Sequence, residues 1–136
     1  MNKNTQKTVY VIDDDSAIRD SLGVLIRSLK LNLTVELFST AGQFIDFISS
    51  SELSKFSLLI IDYRLPGTSG LDLMKLLSEK GIREPTVIMT GHTDEFLEEK
   101  AEELGAIKFF SKPFDPKQLV ETILKVFDLT NEDIIK

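Results

Sequence analysis

The alternation of short apolar runs with helical patterns constrains the fold of this 136-residue chain more than any other feature. Continuous apolar runs lie at 9–12, 58–61, 86–89 and 106–110, and the segment 33–38 alternates apolar and polar residues. Continuous runs are typical of parallel strands buried on both faces, whereas alternation is typical of a half-exposed strand near the edge of a sheet.

Segments with helical spacing separate these runs. After the first run the spaced apolar residues are Ile18, Leu22, Leu25, Ile26 and Leu29. The order is therefore strand then helix, repeated along the chain, which predicts an α/β fold with right-handed crossovers. A closed eight-stranded barrel needs far more chain. Ligands of open α/β sheets bind beyond the carboxyl ends of the strands, so a functional site is expected there.

The composition is that of a single soluble domain, because 136 residues with 42% hydrophobic content can bury a core. The net charge of −6 argues against direct nucleic-acid binding, which needs a cationic surface. The chain has no cysteine, which suits a reducing compartment. No apolar run approaches the roughly 18 residues of a membrane span, and the N-terminus lacks a signal-peptide pattern. We therefore expect a cytoplasmic protein that does not bind membranes.

Polar groups stand where four of the predicted strands end. They are the hydroxyl of Thr90, the ammonium of Lys112 and the carboxylates of Asp13, Asp14, Asp15 and Asp62, two or three of which would meet. If the first, third, fourth and fifth strands lie side by side, these groups converge at one edge of the sheet.

A cluster of carboxylates needs a counter-charge. Two of them about 4 Å apart repel by roughly 4 kcal/mol at an effective dielectric constant near 20, so the cluster must hold a proton or a cation. An all-oxygen site favours a hard cation, and few protein ligands with room for water suit Mg²⁺. A carboxylate can also act as a nucleophile toward phosphorus, in a reaction that needs mainly alignment and positive charge.

Four motifs carry a resemblance to a known family. They are VYVIDDD, IIDYRLPGTSG, TVIMTGH and FFSKPF, in that order. Over residues 8–128 the sequence resembles the receiver domain of two-component response regulators. The residues in and around the motifs are most similar to those of FixJ/NarL-type receivers, which precede helix-turn-helix output domains. The resemblance implies a flavodoxin-like (βα)5 sandwich, with a five-stranded parallel sheet in the order 2-1-3-4-5. A polar tail over 1–7 and a tail or linker over 129–136 would flank it.

The resemblance also implies roles at the strand ends. Asp62 would accept a phosphoryl group from a sensor histidine kinase or a histidine phosphotransfer protein. Asp13, Asp14, Asp62 and the backbone carbonyl of Arg64 would hold Mg²⁺, with Mn²⁺ as a substitute. Lys112 would pair with the phosphate, and its bond to Pro113 would be cis.

A switch is implied as well. Thr90 would donate a hydrogen bond to the phosphate, and Phe109 would swing inward when Thr90 moves. The surface of the fourth helix, fifth strand and fifth helix would change, recruiting a partner or forming a homodimer that controls an output, here expected to be transcription. The chain would therefore be a signalling domain that assists only its own phosphorylation and dephosphorylation, and no enzyme.

Several residues have two interpretations. Asp13 and Asp14 also fit turns or caps, and Asp15 is predicted as a loop or capping residue ahead of the first helix. Arg64 and His92 either tune water access to Asp62, as their positions in the family suggest, or are plain exposed loop residues. Phe96 is either a core residue or an exposed contact of the fourth helix, and the second is favoured because Leu97, Ala101 and Leu104 already supply a buried stripe.

Other functions stay open on the sequence. Haloacid dehalogenase-type phosphatases also form an aspartyl phosphate, but their second aspartate is replaced here by Arg64. Flavodoxin-type flavin-binding domains have a Ser/Thr/Gly-rich loop where this chain has Asp13–Asp15. A receiver-like module that is never phosphorylated is a third possibility. A complete chain would be a stand-alone receiver or a phosphorelay intermediate, whereas an excised piece would precede a DNA-binding domain.

Overall fold

A computed structural model describes residues 5–92 and 94–135. The elements in chain order are β1 (Thr8–Ile12), α1 (Ser16–Ser28), β2 (Thr34–Phe38), α2 (Ala41–Ser50), β3 (Ser57–Asp62), β4 (Arg64–Leu65), β5 (Thr68–Ser69), α3 (Gly70–Glu79), β6 (Thr86–Thr90), α4 (Glu95–Glu103), β7 (Lys108–Ser111), α5 (Pro116–Val126) and α6 (Asn131–Ile135).

Five of the strands form one parallel sheet in the order β2-β1-β3-β6-β7. Since β6 and β7 are the fourth and fifth strands of this sheet, the predicted order 2-1-3-4-5 is confirmed. The short strands β4 and β5 pair antiparallel as a hairpin between β3 and α3. In the register Ile12 lies opposite Ile61 and Thr90 lies opposite Ser111. The residues that follow β1 therefore emerge beside the end of β3.

The core lies on both faces of the sheet, because all residues of β1, β3 and β6 are buried. One apolar cluster joins the sheet to α1 and α5 through Leu22, Ile26 and Leu119. The other joins it to α2, α3 and α4 through residues such as Phe44 and Leu73. Each large apolar side chain removed from water contributes about 1.5–3 kcal/mol, so the helices hold the strand ends in fixed positions.

The two edge strands differ from the three central ones. All five residues of β2 are half-buried, as expected of the alternating segment. The prediction of a fully buried strand over 106–110 is wrong, since β7 begins only at Lys108, which is exposed, and Ile107 is 45% exposed. The reason is that β7 pairs with β6 alone and forms the other edge.

Segments near both ends of the described chain contact the rest of the domain. Residues 1–4 of the predicted N-terminal tail lie outside the described residues, and Gln6 Nε2 donates to the carbonyl of Asn32 at 2.8 Å. Within the predicted tail over 129–136, α6 forms, and Leu129 and Ile134 pack against the cluster under α1 and α5. No helix in the described part of the chain is long and apolar enough to cross a membrane.

Candidate functional site

The carboxyl ends of β1 and β3 bring three carboxylates together. Asp13 follows β1 and Asp62 ends β3, and both are buried, with 2% and 6% exposure. Asp14 is exposed to solvent. Ligand oxygens of Asp13, Asp14 and Asp62 all lie within 4.8 Å of one another. The predicted convergence of acids at this edge is therefore present.

Lys112 brings a positive charge into the cluster from the end of β7. Its Nζ lies 2.8 Å from Asp13 Oδ2 and 3.2 Å from Asp62 Oδ2. Its backbone N–H donates to the carbonyl of Thr90 at 2.7 Å, which holds it beside β6. The peptide bond from Lys112 to Pro113 is cis, the conformation that the resemblance implies.

The electrostatics of the cluster are unbalanced. Burial, together with the charge of Asp13, raises the pKa of Asp62 to about 6, although Lys112 and the backbone N–H of Arg64 lower it. Burial by itself would lower the pKa of Lys112, but its hydrogen bonds and charge pairing with Asp13 and Asp62 raise it overall. Lys112 therefore stays protonated at neutral pH. One ammonium faces three carboxylates, which leaves the cluster with excess negative charge.

This donor set fits a divalent cation. All three acids offer oxygen ligands, two of them are buried, and Asp14 on the solvent side leaves an open approach for water. Few protein ligands with room for water are what Mg²⁺ prefers. A bound cation would also supply the counter-charge that Lys112 alone does not.

Comparisons with known proteins agree with this arrangement. A family model described as "Response regulator receiver domain" matches residues 9–124. The chain belongs to the response regulator receiver domain family. Among relatives, response regulator protein TodT of Pseudomonas putida is 38% identical over 115 residues, covering 85% of this chain and 48% of TodT. Transcriptional regulatory protein FixJ of Bradyrhizobium diazoefficiens is 39% identical over 119 residues, covering 88% of this chain and 56% of FixJ.

Solved structures give the same picture. Full-length FixJ from B. japonicum matches with a TM-score of 0.78 at 36% identity, over 91% of this chain and 59% of that chain. A CheY-like receiver from Methanospirillum hungatei JF-1 matches with a TM-score of 0.73 at 28% identity, over 91% and 95%. The chain thus has a FixJ-type receiver fold, and it spans about half the length of the curated relatives it matches.

Thr90, at the end of β6, is buried at the edge of the receiver site, with 1% exposure. Its hydroxyl donates to the carbonyl of His92 at 3.2 Å and accepts from the His92 backbone N–H at 3.1 Å. The His92 residue itself is exposed. The Thr90 side chain is thus tied to the loop that follows it, and any movement of Thr90 must exchange these hydrogen bonds.

The hairpin after Asp62 contains a requirement that the sequence analysis missed. A Cβ on Gly70 would lie 2.5 Å from the carbonyl oxygen of Asp62 and 3.0 Å from Ile61 Cγ2. The Gly70 N–H also donates to the carbonyl of Tyr63 at 2.6 Å. Arg64 is exposed, and its N–H donates to Asp62 Oδ1 at 3.4 Å. Gly70, the last residue of IIDYRLPGTSG, thus permits close packing against the backbone of Asp62.

A second missed residue lies in the first turn of α1 and contacts the β1–α1 loop. Asp15 is the N-cap of α1, accepting from the N–H groups of Ala17 and Ile18, which confirms its predicted role. Arg19, which was not singled out, donates from Nη1 to the Asp13 carbonyl at 2.8 Å. A basic residue one turn into a helix that follows an acidic run was the available signal.

Phe109 and the fourth helix lie on another face of the receiver. Phe109 is half-buried and packs against the core shared by α2, α3 and α4. It also lines a groove of about 510 Å³ between α4, β7 and α5. Phe96 is 62% exposed, in agreement with its prediction. Leu104 was predicted as buried and is 37% exposed, because it caps the C-terminus of α4, while Ala101 is fully buried.

Proposed function

We propose that this receiver accepts a phosphoryl group on Asp62 from a sensor histidine kinase or a histidine phosphotransfer protein. The main support for this proposal is the position of Lys112 Nζ, which lies 2.8 Å from Asp13 Oδ2 and 3.2 Å from Asp62 Oδ2 at the carboxyl ends of the strands. The ammonium lies beside the carboxylate that would receive the phosphoryl group. The ammonium can therefore neutralise negative charge on the phosphate oxygens without a prior rearrangement of the Lys112 side chain.

The proposed reaction is a direct transfer. One carboxylate oxygen of Asp62 forms a bond to phosphorus, and the bond from phosphorus to the donor's imidazole nitrogen breaks. The imidazole leaves with that electron pair, and it is neutral because its other ring nitrogen carries a proton. Asp62, with a pKa of about 6, is the ionised nucleophile at pH 7 and above.

Asp13, Asp14, Asp62 and the backbone carbonyl of Arg64 are the proposed ligands of Mg²⁺, or of Mn²⁺ as a substitute. The clustering of the three carboxylates within 4.8 Å supports this assignment. A bound divalent cation supplies positive charge against the oxygens of the transferring group. Asp13 is meanwhile held in place by Lys112 and by the N–H of Asp15, which donates to Asp13 Oδ1 at 2.9 Å.

The proposed switch starts at Thr90. Phosphorylation replaces the single negative charge of ionised Asp62 with a phosphoryl group that carries close to two, beside Lys112. The Thr90 hydroxyl then donates to a phosphate oxygen in place of the His92 carbonyl that it now contacts. The space vacated by Thr90 admits the half-buried Phe109 ring, and the groove between α4, β7 and α5 changes shape. This is a shift between two populated states, for which a few kcal/mol of differential interaction suffices.

The proposed output is transcription, controlled outside this chain. FixJ carries the name of a transcriptional regulatory protein, and this chain spans about half of it. The proposed signal is a change at the α4, β7 and α5 surface that favours a homodimer or a partner protein. Action as a stand-alone receiver or a phosphorelay intermediate is the alternative, supported by the intact site within the receiver itself.

A tuning role is proposed for Arg64 and His92. Both are exposed, and their backbone N–H groups donate to Asp62 and Thr90 respectively. This closeness of their backbones to the site supports the proposal that their side chains control water access to the phosphorylated Asp62. Measured phosphoryl-loss rates of Arg64→Ala and His92→Ala equal to that of the unmodified protein would contradict this role.

The experiment for the main proposal is labelling with radioactive acetyl phosphate and Mg²⁺. We expect the label on the unmodified protein and its absence on Asp62→Asn. The matched control is Asp72→Asn, which removes an exposed carboxylate from the first turn of α3 and should label normally. Label retained on Asp62→Asn would refute Asp62 as the acceptor.

A further inference from the structure

Arg19 links helix α1 to the acidic loop by a hydrogen bond. Its Nη1 lies 2.8 Å from the carbonyl oxygen of Asp13, and the residue is half-buried. We propose that Arg19 is a positioning residue that fixes the peptide plane between Asp13 and Asp14, and thereby aims the Asp14 carboxylate at the divalent-cation site. This inference rests on the proposed function of the acidic cluster.

The geometry follows from the planarity of the peptide group. The Asp13 carbonyl and the Asp14 N–H belong to one rigid plane, so a hydrogen bond to the carbonyl also sets the direction from which Asp14 leaves the chain. On the other side of Asp13, its N–H donates to the carbonyl of Phe38 at 3.0 Å. Residue 13 is thus held at both backbone groups, once by β2 and once by α1.

Asp14 needs such help more than the other two acids. Asp13 is held by Lys112 and by the Asp15 N–H, and Asp62 is held by Lys112 and the Arg64 N–H. Among the described residues, the Asp14 side chain has no hydrogen-bond or ion-pair partner, although it lies in the cluster. Its placement therefore depends on its backbone, which the Arg19 guanidinium holds at the Asp13 carbonyl.

The positioning role of Arg19 and its positive charge predict opposite changes in Mg²⁺ affinity when Arg19 is removed. A cation beside the cluster repels a second cation, so the charge of Arg19 alone would weaken metal binding, and its removal would strengthen it. If Arg19 instead positions Asp14, its removal weakens metal binding. Changes to residues that orient metal ligands commonly lower affinity about 10- to 100-fold.

Three substitutions of Arg19 separate the two effects. Arg19→Met keeps the aliphatic stem but loses both the donor and the charge, Arg19→Gln keeps an amide donor without the charge, and Arg19→Lys keeps both. We expect Mg²⁺ affinity, measured by titration calorimetry on the full chain, to fall about 10-fold in Arg19→Met. Arg19→Lys and Arg19→Gln should stay within about threefold of the unmodified protein, because each retains a donor for the Asp13 carbonyl.

The control is Arg27→Met on the same helix, since Arg27 is exposed and lies along Gly23, away from the loop. Its Mg²⁺ affinity should be unchanged. Melting temperatures in EDTA report whether Arg19→Met still folds, and the Lys and Gln variants carry the test if it does not. Affinity in Arg19→Met equal to or tighter than that of the unmodified protein would overturn the positioning role, as would a 10-fold loss in Arg19→Gln.

A kinetic readout sharpens the result. For labelling by acetyl phosphate, Arg19→Met should need more Mg²⁺ for half-maximal rate and reach the normal rate at saturating Mg²⁺. A rate that stays low at saturation contradicts the inference. If the unmodified protein itself binds no Mg²⁺, the proposed function of the cluster fails. If it binds Mg²⁺ and Arg19→Met binds equally well, this inference alone fails.

Discussion

The two ends of the parallel sheet bury polar residues in opposite ways. At the amino end, Thr8, Ser57 and Thr86 start β1, β3 and β6, and each is a buried neutral hydroxyl. Thr8 Oγ1 donates to the Gln6 carbonyl at 2.8 Å, and Thr86 Oγ1 donates to the Glu84 carbonyl at 2.9 Å. Ser57 donates likewise to the carbonyl of Ser54. Every one of these donors is matched to an acceptor within the protein.

At the carboxyl end, the same central strands lead to charges that are not balanced. Asp13 and Asp62 are buried beside one ammonium, Lys112, and Asp14 adds a third carboxylate at the surface. A neutral hydroxyl is satisfied by one carbonyl, whereas a buried charge is costly until it is fully paired. The three strand-start hydroxyls at the amino end are therefore satisfied within the protein, whereas the charges at the carboxyl end are balanced only with a ligand. This difference places the chemistry of the receiver at one edge of its sheet.

The largest difference in stability between the two ends is expected when the ammonium of Lys112 is removed. Lys112→Met leaves Asp13 and Asp62 buried without their shared partner, and we expect the free energy of unfolding to fall by about 3 kcal/mol in metal-free buffer. Ser57→Ala at the amino end removes one neutral hydrogen bond and should cost only about 1 kcal/mol. Urea unfolding of both variants in EDTA measures the difference. Equal losses would show that the two ends are energetically alike.

The carboxyl end is also sensitive to its backbone packing. Gly70→Ala places a methyl group 2.5 Å from the Asp62 carbonyl oxygen, so the hairpin or the end of β3 must shift. We expect a loss of about 2 kcal/mol in the free energy of unfolding, together with slower labelling of Asp62. The control is Gly42→Ala, in which the new Cβ would lie 3.8 Å from Thr40 Oγ1, an ordinary van der Waals contact. Because alanine favours the helix α2 more than glycine does, the free energy of unfolding should rise by up to about 1 kcal/mol. Normal stability and labelling in Gly70→Ala would contradict the tight-packing argument.

The smallest effect has the opposite sign, because one charge at the carboxyl end opposes folding. The pKa of Asp62 is raised from its ordinary value of 3.8 to about 6, so the folded state binds this proton more tightly than the unfolded chain does. The ionised group is therefore destabilising above pH 6, and this penalty disappears as the pH falls below about 4. We expect metal-free Asp62→Asn to be more stable at pH 7.5 by on the order of 1 kcal/mol, because the neutral amide removes this penalty.

Thermal melting in EDTA at pH 7.5 and at pH 4 checks this sign. The stabilisation by Asp62→Asn should be present at the higher pH and absent at the lower one. Asp72→Asn, an exposed acid outside the cluster, should show no such change between the two pH values. A variant that is less stable than the unmodified protein at pH 7.5 would show that Lys112 fully compensates both acids.

Much of this architecture could be predicted from the sequence, because its causes are local. Continuous apolar runs predicted the three central strands, and the acid at the end of LLIID could be assigned to the sheet edge. The exposure of Ile107 could not, because the run 106–110 is apolar apart from Lys108 and its place at an edge of the sheet is a tertiary property.

The missed residues share one physical reason. Arg19 acts through a hydrogen bond to a backbone carbonyl, and Gly70 acts through the room that it leaves beside Asp62. A residue pattern can indicate a basic residue near an acidic loop, but it does not show the carbonyl that this residue contacts or a gap between atoms. The packing of Ile134 against the core was likewise hidden, because the short polar segment around it resembles a linker.

Asp62, and no other acid of the cluster, is the proposed phosphoryl acceptor at the unbalanced carboxyl end of the sheet. The most direct test is to treat the full chain with acetyl phosphate and Mg²⁺, trap the acyl phosphate by borohydride reduction, and locate the reduced residue by peptide mass spectrometry. We expect a single reduced aspartate, at position 62. Modification at Asp13 or Asp14 instead, or an unmodified Asp62 in a folded protein that binds Mg²⁺, would contradict it.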